Sequence, residues 1–498
     1  MRGTKDFRVL LVNCNTMLDT LVTAGIGILS ACLKAEGIDV KLFDTTFYRT
    51  AEITGDEARA TALQVKETDF TDMGIETEEE DVVEAFTRQV AEYKPHLIGL
   101  SSIEVTHLLG IQLLDAVKGS GIPTVVGGPY ATFAPEIVIR AEGVDMVCVG
   151  EGEQPLVELC KKLMAGEDIT KIKNLWVKSD GKVHKNPIRP PIDLATLPPQ
   201  DWSVYDKRRF WKPMGGKISV TGTFEMNRGC PYACTYCINS GFHELYGPVG
   251  GYYREQDVER LVDEMAEKKE QYSLSYVYLV AESFLTTQRE RIRTFGRLYQ
   301  EKVGLPFWVE ARPESITPDK IDVLTEIGCE GISIGVESGN ADLRKRLLGR
   351  NVTDKTIIRA FELLRKTGIR VSANNIIGFP TETREMIFDT IRLDRILQPH
   401  GVMVSFFSPY KGATLRNICQ EEGYIGDEDI ALDYRLGPTM DMPQLREKEL
   451  IGLHRTFPLY VKFPESEWDQ IRVAEDDTPK GNAAFKEYSE RYIQEYMS

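Results

Sequence analysis

The sequence predicts an α/β protein built as two successive strand–helix blocks followed by a mostly helical C-terminal region. Three observations carry that expectation. Residues 7–165 alternate short apolar runs with helical patterns, the mark of a Rossmann-like parallel sheet covered by helices on both faces. The same alternation resumes at Lys217 and runs to Tyr410, after a proline-dense stretch. Three cysteines, Cys230, Cys234 and Cys237, stand just beyond the first apolar run of that second block.

In the first block, strands are expected at Arg8–Asn13, Asp39–Phe43, Leu97–Ser101, Thr124–Val126 and Met146–Val149. Helical patterns lie between them, near 18–36, 79–92, 108–118 and 155–164. The polar, acidic segment 46–78 reads as a lid-like insertion. Small residues collect just past the strands: Ser101-Ser102, Gly127-Gly128-Pro129 and Gly150-Glu151-Gly152. In an open α/β sheet, ligands bind at the carboxyl ends of the strands, where glycines let a large ligand approach the backbone.

Residues 166–212 read as a linker. It holds a hairpin over 174–183, turning at Asp180-Gly181, and then Pro187, Pro190, Pro191, Pro198 and Pro199. Proline at that density gives an extended, semi-rigid crossing. The second block, 213–412, offers strands at 218–223, 276–280, 307–310, 331–335, 371–378 and 402–408. Helical stretches fall between them at 257–269, 288–302, 317–327 and 354–367. Residues 413–498 loosen into acidic helices with several aromatics.

With 60 Lys and Arg against 76 Asp and Glu, the net charge of −16 would repel a phosphate backbone, so nucleic acid is not an expected partner. The most apolar window, 97–114, carries Ser101, Ser102, Glu104 and His107, which reads as strand, turn and helix rather than a membrane span. No secretory signal is expected ahead of the first strand. Nine cysteines without paired spacing suggest a reducing cytoplasm. Cys32, Cys148, Cys160, Cys329 and Cys419 sit among apolar neighbours and read as core.

Cys230-Pro-Tyr-Ala-Cys234-Thr-Tyr-Cys237 cannot pair its thiols without leaving one over. Soft thiolates at this spacing suit three irons of a 4Fe–4S cube, leaving the fourth iron open to a substrate. A structural zinc site is the alternative; it needs a fourth ligand, for which His243 is the close candidate.

Cys-x₃-Cys-x-aromatic-Cys after a first strand, with Tyr236 in the aromatic slot, resembles the radical S-adenosylmethionine (SAM) enzymes. The resemblance implies a partial (β/α) barrel and an open iron that chelates SAM, whose reductive cleavage yields a 5′-deoxyadenosyl radical. Functional groups then belong at the strand ends. Glu282 matches the place of SAM's ammonium partners, and Arg312 is the cation for its carboxylate. Glu337-Ser338 lies in a stretch, Gly335 to Gly339, similar to the family's fourth-strand motif. Asn374, Asn375 and Gly378-Phe379-Pro380 are similar to its fifth-strand motif beside the adenine.

The loops of the first block, with Ser101, Ser102 and Thr106 after the third strand and Gly127-Gly128-Pro129 after the fourth, resemble the cobalamin-binding domain of one radical SAM subclass. Residues 197–202 resemble the connector between its two domains. Many cobalamin domains carry Asp-x-His-x-x-Gly after the first strand; here Asn13-Cys14-Asn15-Thr16-Met17-Leu18 lacks all three residues. That either removes cobalamin altogether or leaves it bound with no histidine on cobalt. The subclass often lacks that histidine, so the resemblance implies the second, with Asn15, Thr16 and Met17 bordering the cobalamin.

The resemblance implies a C-methyltransferase that moves a methyl group from SAM by way of methylcobalamin to an unactivated carbon. It implies a small-molecule or peptide substrate and an external electron donor. The acidic two-domain chain is also similar in general outline to the family member that C-methylates a glutamine of methyl-coenzyme M reductase. A cyclase or ring-rearranging enzyme with the same cofactors, and a non-catalytic cobalamin sensor, are the alternatives.

Overall fold

The structure, a computed structural model, describes residues 7–68, 70, 73–214 and 217–497. The expectations for residues 1–6, and for residues 69, 71 and 72 of the 46–78 segment, lie outside the described residues. The chain divides into two compact units. The first comprises residues 7–54, 70, 73–212 and 241–254, the second 55–68, 213–214, 217–240 and 255–497.

In the first unit β1 (Arg8–Asn13), β2 (Asp39–Asp44), β3 (Leu97–Ser101), β4 (Thr124–Gly127) and β5 (Met146–Cys148) pair in parallel in the order β2-β1-β3-β4-β5. Val9 to Val12 are buried throughout, as a strand covered on both faces requires. The hairpin read from the sequence as part of the linker extends this sheet: β6 (Leu175–Ser179) and β7 (Lys182–Lys185) pair antiparallel beside β5. Its turn places Asp180 and Gly181 at φ 51° and 71°, the left-handed pair that a tight hairpin favours.

The first helix begins at Ala24 rather than near Leu18. Leu18 adopts φ 55°, which a right-handed helix does not allow. The intervening loop is tied to residues 44–46 instead. Asn15 N donates to Thr45 Oγ1 at 2.8 Å, and Leu18 N to Thr46 O at 2.8 Å.

The second unit holds six parallel strands in chain order: Lys217–Glu225, Tyr276–Val280, Phe307–Ala311, Cys329–Glu337, Arg370–Ile377 and Gly401–Phe406. Helices Val258–Tyr272, Arg289–Lys302, Pro318–Glu326, Asp354–Arg365 and Arg384–Leu397 follow the second-unit strands in turn. This is the partial barrel the sequence led us to expect, its first and fourth strands longer than the apolar runs alone mark out.

Two elements complete that unit from far along the chain. Residues 55–68 of the segment expected to be a lid belong to it: Leu63 lies in its core, and Gln64 pairs with the last strand. The Gln64 amide donates to Val404 O at 2.8 Å and accepts from Val404 N at 3.1 Å, standing in for a neighbouring strand. The helical C-terminal region packs on the same side. Leu453, Phe457 and Tyr460 of helix Glu447–Lys462 share one core with Phe406 and Ile387. Among the described residues no helix is long and apolar enough to cross a membrane.

Candidate functional site

Each unit gathers its sequence-predicted residues at the carboxyl ends of its strands. In the first unit Asn15, Thr16 and Met17 follow β1, Ser101 ends β3 and Ser102 follows it, Gly127 ends β4 ahead of Gly128 and Pro129, and Gly150 to Gly152 follow β5. Asn15 Nδ2 donates to Asp19 O at 2.7 Å and to Thr46 Oγ1 at 2.9 Å, so both amide hydrogens fasten the loop. Thr106 Oγ1 donates to Cys14 O at 3.0 Å, tying the β3 loop to the β1 loop. Gly128 takes φ 101° and passes so close to Ser102 that a Cβ would lie 2.4 Å from its carbonyl oxygen. Only glycine fits there.

Glu151 ties its loop to segments remote in the chain. Its carboxylate pairs with Arg254 Nη2 at 2.5 Å and accepts from Ile192 N at 2.8 Å, while its N–H donates to Tyr246 Oη at 2.8 Å. Two polar atoms beside these loops are buried without a hydrogen-bond partner, Ser102 Oγ and His107 Nδ1. His107 opens the helix after β3, its ring 4.5 Å from that of Tyr130, and burial lowers its pKa to about 4.

In the second unit the loop after the first strand carries the cysteines. Cys230 and Cys234 are buried, Cys237 is half-buried, and none is in a disulfide. Burial pushes the Cys230 thiol up to about 11 and the Cys237 thiol up to about 12, so a bound cation is what would make thiolates of them. Arg312 Nη1 donates to Cys234 Sγ at 2.9 Å, and Asn239 Nδ2 to Cys237 Sγ at 3.5 Å. Asn239 also bonds Glu282, whose carboxyl burial holds above its usual range.

Glu337 closes the fourth strand through a bulge: the register to the fifth strand shifts between Gly335 and Glu337, and Glu337 takes φ 67°. A Cβ on Gly335 would lie 2.3 Å from Glu337 Oε1, so glycine there makes room for the carboxylate. Ser338 is spent on the turn, its Oγ accepting from Asn340 N at 3.2 Å. On the fifth strand Ser372 Oγ bonds Asn374 Oδ1 at 3.1 Å. The Asn375 amide bonds Asp394 Oδ2, on the following helix, at 2.7 Å.

Three residues that the sequence did not mark join this site. Arg350, 2% exposed, donates to Glu337 Oε1, to the Tyr236 hydroxyl and to Gly335 O. Glu382 accepts the Gly378 and Phe379 N–H groups at 2.6 and 3.2 Å, and its pKa is raised to about 8 by burial. Glu310, on the third strand, accepts from the Tyr278 hydroxyl at 2.8 Å. A lone arginine beyond a short helix has no periodicity to announce it.

Two family models match consecutive stretches, a B12 binding domain over residues 11–160 and the radical SAM superfamily over 224–393. An uncharacterized methyltransferase of Pyrococcus horikoshii is 27% identical over 332 residues, 66% of this chain and 70% of that protein. The anaerobic magnesium-protoporphyrin IX monomethyl ester cyclase of Rubrivivax gelatinosus is 26% identical over 390 residues, 75% of this chain and 67% of that one. The fold matches the radical SAM methyltransferase TsrM from Kitasatospora setae, solved with cobalamin and a [4Fe-4S] cluster, at a TM-score of 0.66 and 16% identity over 98% of this chain and 99% of that one. The chain thus carries a B12-binding domain followed by a radical SAM domain, and its cofactors are cobalamin, SAM and a 4Fe–4S cluster.

The residues present fit those groups. Three thiols within eight residues, none in a disulfide, are a donor set for three irons of a cube. In the first unit the close Gly128–Ser102 approach and the two unpartnered buried atoms suit a ligand at the strand ends.

Proposed function

We infer that the protein is a cobalamin-dependent radical SAM C-methyltransferase acting on an unactivated carbon. The observation that carries this reading is the pairing, in one chain, of the Cys230–Cys234–Cys237 loop with a B12-binding domain. Its methyltransferase relative and fold neighbour support it. When bound, the cluster and SAM supply a radical that removes hydrogen, and cobalamin supplies the methyl group.

The chain's own residues bind and orient. Cys230, Cys234 and Cys237 hold the cluster. Glu337 keeps one carboxylate oxygen, Oε1, on Arg350 and offers the other to a ribose hydroxyl or ammonium of SAM. Glu282 and Asn374 would help to hold the same ligand, and the Gly378-Phe379 turn, held by Glu382, would serve its adenine. The loops at Asn15–Met17, Ser101–Thr106, Gly127–Pro129 and Gly150–Gly152 hold cobalamin, with backbone rather than the Glu151 carboxylate at the last of them. The protein works in the cytoplasm with an external one-electron donor. Its substrate is a small molecule or a peptide, a glutamine side chain being one form of the latter.

A second reading, a cyclase with the same cofactors, is favoured by the protoporphyrin cyclase relative. Reconstituted protein incubated with reductant, candidate substrates and SAM labelled in its methyl group separates the two. Label in the product supports methyl transfer. An unlabelled, cyclised product with SAM cleaved supports the second reading and overturns the first.

A further inference from the structure

We propose that Arg312 sets the reduction potential of the cluster by donating a hydrogen bond from its cation to the Cys234 sulfur, rather than serving as the clamp for SAM's carboxylate. The inference rests on the cluster assignment above and goes beyond it. The sequence offers Arg312 as the clamp because a guanidinium fork matches a carboxylate. In the structure the fork is occupied. Nε and Nη2 both bond Glu314 Oε1, at 2.7 and 2.5 Å, on the guanidinium's side edge. Nη1, on the far side, reaches Cys234 Sγ at 2.9 Å. The guanidinium plane lies 3.8 Å from the centroid of Tyr232, two residues before Cys234, and Arg312 is 8% exposed. Ion pair, ring and sulfur thus fix it from three directions, leaving no freedom to swing to a second anion.

With the cluster bound, the Cys234 sulfur is a thiolate ligand to iron. Reduction adds one electron, drawn from an external donor, and the added charge spreads onto the sulfurs. Hydrogen bonds to those sulfurs and the net charge around them are what move such potentials. A buried cation donating to one thiolate stabilises the reduced form more than the oxidised form, and the potential rises. Arg312 keeps its proton throughout and takes no part in bond making. Asn239 gives Cys237 a neutral, longer donor, so the Cys234 side of the cluster is the more strongly perturbed.

The test is a reductive titration of the reconstituted full chain without SAM, following the reduced cluster by paramagnetic resonance. Iron and sulfide are counted in each sample. At a fixed applied potential, Arg312→Met should lower the reduced-to-oxidised ratio at least tenfold, about 59 mV for a one-electron couple. Arg312→Lys, which keeps the charge, should recover part of the loss. An unmoved potential in Arg312→Met together with lost SAM affinity overturns the proposal in favour of the clamp. Should Arg312→Met fail to take up iron, wild-type protein grown on ¹⁵N-arginine decides the matter. Its reduced cluster should show a hyperfine coupling to ¹⁵N, and absence of that coupling overturns the proposal. Wild-type chains that take up no iron would instead overturn the cluster assignment itself.

Discussion

Arg350 and Glu337 form a buried ion pair, Nη1 to Oε1 at 2.8 Å, with side-chain exposures of 3% and 12%. The same nitrogen bonds the Tyr236 hydroxyl at 2.9 Å, so one guanidinium joins the cysteine loop to the end of the fourth strand. Removing one partner of such a pair leaves an uncompensated buried charge, which costs about 3–5 kcal/mol. Arg350→Met should therefore lower the unfolding free energy of the apo-protein by that amount, read by chemical denaturation. Arg350→Lys should recover little, since a point charge cannot reach Tyr236, Glu337 and Gly335 O together. Wild-type stability in Arg350→Met would show that the pair is not a fixed element of the fold.

Glu337→Gln keeps the shape but removes the charge offered to SAM. A hydrogen bond to a charged group contributes about 1.5–3 kcal/mol, so SAM affinity should fall roughly 10- to 100-fold. Equilibrium dialysis on the reconstituted protein measures it, and an unchanged dissociation constant would reduce Glu337 to a partner of Arg350.

Replacing Cys230, Cys234 and Cys237 together by Ala should abolish iron uptake and SAM cleavage. Cobalamin binding should survive, because the loops assigned to it belong to the other compact unit. Iron analysis and an absorbance titration with hydroxocobalamin read the two effects independently. Reductive SAM cleavage by the triple variant would refute the cluster assignment.

Both amide hydrogens of Asn15 are engaged, with Asp19 O and Thr46 Oγ1, and the chain has no histidine at that position. Cobalamin should therefore bind with its own base displaced and with no imidazole from this loop on cobalt. The paramagnetic resonance spectrum of the cob(II) form should lack the triplet splitting that one axial nitrogen produces. A clear triplet would contradict this.

Glu382 gives a pH dependence of known sign. Its folded pKa, about 8, lies above the ordinary 4.5 because burial disfavours the carboxylate. The native state thus holds a proton that the unfolded chain has released, and stability falls as pH rises between those values, by up to about 1.4 kcal/mol per pH unit. Asp394, raised to about 7 by burial, adds to the same trend. Chemical denaturation at pH 5 and pH 8 should show wild type losing more stability than Glu382→Gln does.

The sequence makes the alternation of strands and helices legible because each buried strand must be apolar and each helix must show a face. The cysteine loop is equally legible, since a metal fixes spacing. Arg350, Glu382 and Glu310 were not, because each is a single polar residue whose burial is set by partners remote in sequence. Arg312 was found by residue type and strand position, but Glu314, two residues on, and Cys234 decide which way its nitrogens point. The packing of residues 55–68 is hidden from the sequence for a related reason. The segment's polar composition suggests a surface lid, yet Gln64 is polar because it must satisfy the open edge of a strand.

Gln64 and Val404 are separated by 340 residues. At translation rates of about 5–20 residues per second, that distance takes roughly 20–70 s to synthesise. During that interval Leu63 and the Gln64 amide have emerged while the strand they complete does not yet exist. The segment is therefore a late joiner on the ribosome, exposed to chaperones and proteases until the last barrel strand and helix Glu447–Lys462 appear. A ribosome-stalled chain ending before Val404 should be cut by protease within residues 55–68, and a chain stalled well beyond residue 462 should resist.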